Sequence, residues 1–195
     1  MAKLNKQPTN TSFLQPTKFQ LTFSRTPHLT YFCQSFNLPG LSMSEIVRNT
    51  PFVDLYVHGD KVQYETLDLT FMVDEDLKTW LEMHNWIIGL TFPKNFDQYR
   101  RLIKDNQDYG GTVSDAVMTV MSNKNTPNIR ITFKDCFPTS VSSLTFDYTM
   151  DANMILTASA TFRYNYFDVD ILGTGNLPIL MGGDHSLAIG SISAI

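Results

Sequence analysis

Leu156-Thr157-Ala158-Ser159-Ala160-Thr161-Phe162-Arg163-Tyr164-Asn165-Tyr166 is the stretch that decides the fold. Leu156, Ala158, Ala160, Phe162, Tyr164 and Tyr166 alternate with Thr157, Ser159, Thr161, Arg163 and Asn165. That period of two is the pattern of a strand with one face in a core and the other in water. The same alternation sets Phe19, Leu21 and Phe23 against Lys18, Gln20 and Thr22, and Leu67, Leu69, Phe71 and Val73 against Asp68, Thr70 and Met72. Residues 29–36 read as a further strand, ended by Asn37-Leu38-Pro39-Gly40. Residues 55–58, a turn at Gly59-Asp60 and residues 62–73 read as one long hairpin. Beyond Gly110-Gly111, residues 116–121 and 128–133 flank a polar hairpin loop. Phe137-Pro138-Thr139-Ser140 then reads as a turn into a strand over 143–148, and Asp151-Ala152-Asn153 as a turn into the quoted strand. About seven or eight strands follow from these signals, which makes the chain mainly β.

One helix is expected. Asp74, Glu75 and Asp76 place acids where helical N–H groups are unpaired and the dipole favours negative charge. Leu77, Trp80, Leu81, His84, Ile87 and Ile88 then recur at helical spacing, with Gly89 as the stop. Residues 94–111 read as a loop holding at most a helical turn, with Arg100, Arg101 and Lys104 on a solvated face.

At 195 residues and 43% apolar, the chain suits one domain plus tails. Its net charge of −4 argues against a general nucleic-acid binder, which carries a basic surplus. The sign alternates in blocks: +4 over residues 1–50, −6 over 51–92, +3 over 93–134 and −5 over 135–195. Such blocks suit either solvated faces or complementary faces of a self-assembling subunit. Cys33 and Cys136 sit in no metal-ligand spacing and read as small core residues of a protein in a reducing compartment. Residues 1–15 have no apolar h-region. The purest apolar runs span about five residues, against the roughly 18 a membrane helix needs, so a soluble chain without a membrane anchor is expected.

The order of elements and the local phrases resemble the tail tube proteins of contractile-tailed, T4-like bacteriophages. Three anchors carry the likeness. The first is Phe19-Gln20-Leu21-Thr22-Phe23, then an aromatic-rich segment with Cys33 and Leu38-Pro39-Gly40. The second is Gly59-Asp60 leading to Leu67-Asp68-Leu69-Thr70-Phe71 and the acid-capped helix with Trp86. The third is Phe137-Pro138-Thr139-Ser140-Val141, Leu144-Thr145-Phe146-Asp147-Tyr148 and Tyr164-Asn165-Tyr166.

The resemblance implies a mainly β (α+β) fold: two packed antiparallel sheets forming a sandwich or barrel, with one flanking helix. It implies a tail-tube domain over residues 18–168, a flexible arm over 1–17 and a tail over 169–195. The implied role is that of a virion tail subunit, assembled in the host cytoplasm and not an enzyme. Six copies form a ring, and rings stack into a tube inside a contractile sheath. Implied partners are further copies of the chain, the sheath, baseplate and terminator proteins, and viral DNA passing through the lumen; no cofactor is implied. A baseplate protein that starts or caps the tube is the alternative. Residues 37–62 are the expected contact region, with Leu38, Pro39, Gly40, Glu45, Arg48, Val57, Gly59, Asp60 and Val62 as candidates. Thr157, Ser159, Thr161 and Asn165 are candidate lumen-lining residues, and an acidic balance suits a wall along which phosphates slide.

Gly182-Gly183-Asp184-His185-Ser186 looks like a segment of arginase-type manganese ureohydrolases. A two-metal hydrolase needs several converging carboxylates and a second histidine. The chain has no Asp-x-His-x-Asp motif, so His185 stands without co-ligands in the sequence. Chance or an appended segment explains the string better than catalysis does. His28, His58 and His84 fall on separate elements, and Gly110-Gly111 lacks the lysine of a phosphate loop.

Overall fold

A computed structural model describes residues 11–104, 111–149, 151 and 154–172. In chain order the elements are β1 (Phe19–Phe23), α1 (Pro27–Phe32), β2 (Cys33–Phe36), β3 (Leu41–Arg48), β4 (Leu55–Tyr64) and β5 (Leu67–Met72). They continue with α2 (Lys78–Thr91), α3 (Asp97–Lys104), β6 (Ser114–Met121), β7 (Pro127–Val141), β8 (Thr157–Arg163) and β9 (Tyr166–Ile171).

Two antiparallel layers share β7. Its first half pairs with β6 and β9, and β6 pairs with β1. Its second half pairs with β8, which continues through β5 to β2. Asp135, at φ 56°, marks the place where β7 leaves one layer for the other. The Tyr164-Asn165 corner between β8 and β9 changes layer at the same point, held by Asn165 N–H to Lys134 O at 3.0 Å. The apolar-polar pattern of the sequence runs on through this corner, which is why it reads as one long strand over residues 156–166, but Tyr166 is exposed and Phe167 packs against the core instead.

The inward residues of the two layers meet in one core. Phe162 of β8 stacks on Phe23 of β1 at 4.9 Å and lies 6.0 Å from the Trp86 ring of α2. Phe71, Leu69 and Leu67 of β5 and Phe133 of β7 complete it, all 2% exposed or less. Burying one such side chain contributes about 1.5–3 kcal/mol.

Several local expectations give way to tertiary context. Residues 27–32 are helical, because Pro27 at the first turn presets a helical φ. Gly59-Asp60 is no turn: β4 runs through it and pairs with β3, while β5 pairs elsewhere. The reversal lies at residues 49–54. Phe137-Pro138-Thr139-Ser140 likewise continues β7, and residues 142–147 form no strand.

Helix α2 is present, but its buried stripe is Thr79, Met83, Trp86 and Gly89. Leu81, expected in the stripe, is 42% exposed. Gly89 is a seat for α3 and not a stop, since a β-carbon there would stand 2.8 Å from Leu102 Cδ1. The expected acidic start holds: Asp74 Oδ1 accepts from Thr79 N at 2.9 Å and from Thr79 Oγ1 at 2.6 Å. These bonds, the hydroxyl first, hold the Asp74 carboxyl down at about 2. The expected loop over 94–111 contains α3. Asp97 opens that helix and Arg101 and Lys104 close it, in the order the helix dipole favours.

Candidate assembly surface

β3 and β4 form a two-stranded ribbon that stands apart from the layers. Every residue of β3 is exposed, and in β4 only Gly59 is buried and Tyr64 half-buried. Residues directly opposite share a face. Leu41, Met43, Glu45 and Val47 therefore share one face with Tyr64, Val62, His58 and Tyr56. Ile46 and Arg48 share the other with Val57 and Leu55. Ser42 and Gln63 also pair on that second face, so the first face is the more apolar, and both meet solvent. At the tip Phe52 is 97% exposed. An isolated two-stranded ribbon is marginal in water, and a contiguous apolar surface of this kind marks an interaction site.

The root of the ribbon is fixed to the layers. Asn37 N donates to Asp68 O at 3.0 Å, Asp68 N to Asn37 Oδ1 at 2.6 Å, and Asn37 Nδ2 to Thr66 O at 3.2 Å. Gly40 and Glu65 close the next rung through Glu65 N to Gly40 O and Gly40 N to Glu65 Oε2, each 3.2 Å. Tyr64 anchors the base through edge contacts with Tyr164 and Phe167 at 5.8 and 5.6 Å. The ribbon is thus a stiffly mounted lever.

All nine expected contact residues lie on this ribbon or at its root. Glu45 and Val62 occupy one face, Arg48 and Val57 the other, and Leu38 and Gly40 are exposed at the root. Pro39 and Gly59 are buried and so shape the ribbon, while Asp60 sits in the bulge between Met43 and Glu45. Sequence reasoning missed Leu41, Met43, Ile46, Phe52 and Tyr56. Apolar residues at both parities of residues 41–48 were the available signal.

On the outer face of β8, Thr157, Ser159 and Thr161 stand opposite Met72, Thr70 and Asp68 of β5. With Ser35 and Ser140 they make a face of small hydroxyls whose charged groups are Asp68 and Arg163. Asn165 is set apart from it at the corner, its Nδ2 donating to Asp135 Oδ2 at 2.8 Å.

Two antiparallel layers with a flanking helix are the architecture expected above, and the family model described as "Phage tail tube protein" matches residues 3–170. The chain belongs to the phage tail tube protein family. A curated relative, the tail tube terminator protein of Enterobacteria phage T4, is 28% identical over 113 residues. That match covers 57% of this chain and 60% of the relative, so the chain spans less than two thirds of the relative's length. Two solved structures share the fold. The tube-terminating cap of the anti-feeding prophage superposes with a TM-score of 0.54 at 16% identity, covering 88% of this chain and 99% of the cap. The sheath/tube terminator of the PVC extracellular contractile injection system gives 0.51 at 16%, covering 83% and 99%.

Tail tube family membership makes this a structural protein of the phage tail. Burial pushes the Cys136 thiol up to about 12 and the Cys33 thiol up to about 11, which suppresses the thiolate a nucleophile needs. His28 Nδ1 pairs with Glu82 Oε1 at 2.5 Å, His84 stacks on Trp80 at 5.1 Å, and His58 lies on the ribbon. No group of three or more His, Cys, Asp or Glu converges among the described residues. The Gly182–Ser186 string lies outside them. No helix among the described residues is long and apolar enough to cross a membrane.

Proposed function

We propose that the chain forms rings that end the tail tube. The observation that carries assembly is the β3–β4 ribbon, exposed along its length, apolar over most of one face and held at its root by hydrogen bonds. Such a surface is stable only when another subunit covers it. The choice of a terminator over a tube subunit rests on the likeness to the T4 tail tube terminator. In this reading six copies close a ring, the ribbon reaches an adjoining ring, and Thr157, Ser159 and Thr161 line the lumen. Small hydroxyls with little fixed positive charge let a polyanion pass without holding it. The tail sheath and neighbouring tail proteins are the outer partners. The core domain runs on past residue 168, because β9 pairs with β7 through Ile171.

A second reading, the repeating tube subunit itself, draws on the family model's own description. Negative-stain electron microscopy across a concentration series separates the two. Rings that do not stack, and that arrest elongation when added to the tube subunit of the same virus, support the terminator. Long hollow tubes support the repeating subunit. Compact particles without rings at any concentration overturn both.

A further inference from the structure

Helix α2 separates two exposed apolar patches of opposite charge. Its first turn lies beside the connection between β7 and β8. Trp80 Nε1 donates to Ser142 O at 3.3 Å, and Val73 N donates to Leu156 O at 2.9 Å. That connection exposes Phe146 and Tyr148, then Met154 and Ile155, at 64% or more. Asp74, Glu75 and Asp76 lead from Val73 into α2, and Asp147 and Asp151 lie in the connection itself. Lys78 is the nearby base, paired with Asp76 at 2.6 Å.

At about 1.5 Å per residue, the other end of α2 is roughly 20 Å away. There Phe92, Phe96 and Tyr99 form a triangle of rings 5.4 to 5.8 Å apart, with Phe92 and Phe96 exposed. Lys94 lies between Phe92 and Phe96 in the chain, and Arg100, Arg101 and Lys104 follow Tyr99 along α3. Among the described residues the ion pair of this group is Arg100–Asp97, at 3.9 Å. Asp105 and Asp108, which follow in sequence, lie outside the described residues.

From this arrangement we infer that neighbouring copies meet head to tail, the acidic-aromatic end of α2 in one copy against the basic-aromatic α3 patch of the next. The inference rests on the ring reading above. It adds which surfaces meet. Each patch has apolar area to bury and a charge sign that the other complements, whereas two acidic ends or two basic ends repel. A contact between unlike patches is heterologous, and heterologous contacts close into rings when the rotation allows. The charges serve assembly geometry as well as solubility.

Two charge-reversed full-length variants test it, Glu75→Lys with Asp76→Lys and Asp147→Lys, and Arg100→Glu with Arg101→Glu and Lys104→Glu, each confirmed as folded by far-UV circular dichroism. Assembly is read by sedimentation and negative-stain microscopy at low ionic strength, where unscreened charge acts farthest. Each variant alone is expected to lose its rings, because both ends of every copy then carry one sign. An equimolar mixture is expected to recover them, since unlike ends again face each other in an alternating ring. A single chain carrying all six substitutions recovers them whatever the number of copies. Rings unchanged in both variants overturn the inference, as does failure of both the mixture and the sixfold variant to recover, while the ring reading stands. A wild-type chain that stays monomeric at every concentration removes the ring reading itself.

Discussion

Gly59 faces Ser44 across the ribbon so closely that a β-carbon at Gly59 would overlap the backbone oxygen and the hydroxyl of Ser44. The contact sits at the register shift between Met43–Val62 and Glu45–His58, where β4 carries extra residues opposite Ser44. A bulge increases local twist, so this pair sets the direction in which the outer half of the ribbon points.

Gly59→Ala should therefore distort the ribbon and leave the layers intact. Overpacking of this kind costs about 1–3 kcal/mol. Hydrogen exchange is the measurement: amides of β3 and β4 should lose protection while those of β5 and β8 keep theirs. Unchanged ribbon protection would show that the strands can part without cost.

Phe52 tests the role of the ribbon tip. At 97% exposure it supports nothing in the isolated chain. Phe52→Asp is expected to leave urea stability within about 0.5 kcal/mol, the usual range for exposed sites, and to abolish association detected by light scattering. Normal assembly by this variant would remove the tip from the contact.

Phe162 joins both layers and the helix. Phe162→Ala should cost about 3–5 kcal/mol in urea denaturation, as expected for a fully buried aromatic ring. A loss under 1 kcal/mol would mean that Phe23 and Trp86 close over the space.

Asp74 makes the start of α2 sensitive to acid. Its carboxyl lies near 2, below its ordinary 3.8, so the folded state binds the proton less readily than the unfolded one. The stabilisation is complete above the ordinary value and is lost as pH falls toward 2. Asp74→Asn retains an acceptor without the charge. The stability advantage of the wild type over this variant should be constant above pH 5 and vanish near pH 2. A gap independent of pH would show that the charge contributes nothing.

The thiols offer a check on burial. With Cys136 at about 12 and Cys33 at about 11, a disulfide thiol reagent at pH 8 should react slowly with the native protein and rapidly after denaturation. Immediate titration of either thiol in the native chain would contradict its desolvation.

Much of the layer structure was legible because burial on one side imposes a period of two. β1, β5 and β8 follow it strictly, and residues 114–121 alternate buried and half-buried along their whole length. The candidate contact region was legible as a segment, residues 37–62, though not as a ribbon. Gly59-Asp60 and the 49–54 segment both carry turn chemistry, and local sequence does not say which of them reverses the chain. The pairing of β4 with β3 settles that.

The helix shows the same division. Leu77, Trp80, Leu81, His84, Ile87 and Ile88 have helical spacing, and so do Thr79, Met83 and Trp86. Which stripe turns inward depends on where Trp86 meets Phe162 and donates from Nε1 to Thr112 O at 3.0 Å.

By itself the sequence determined that this protein is mainly β, that an acid-capped helix follows β5, and that its charge changes sign in blocks. Those properties depend on near neighbours: alternation, turn chemistry, capping and composition. Tertiary structure alone decided that β7 serves both layers and that β3 and β4 leave the core with apolar residues uncovered. Each of these joins residues far apart in the chain, and a long-range pairing becomes stable only when the groups on both sides are brought together.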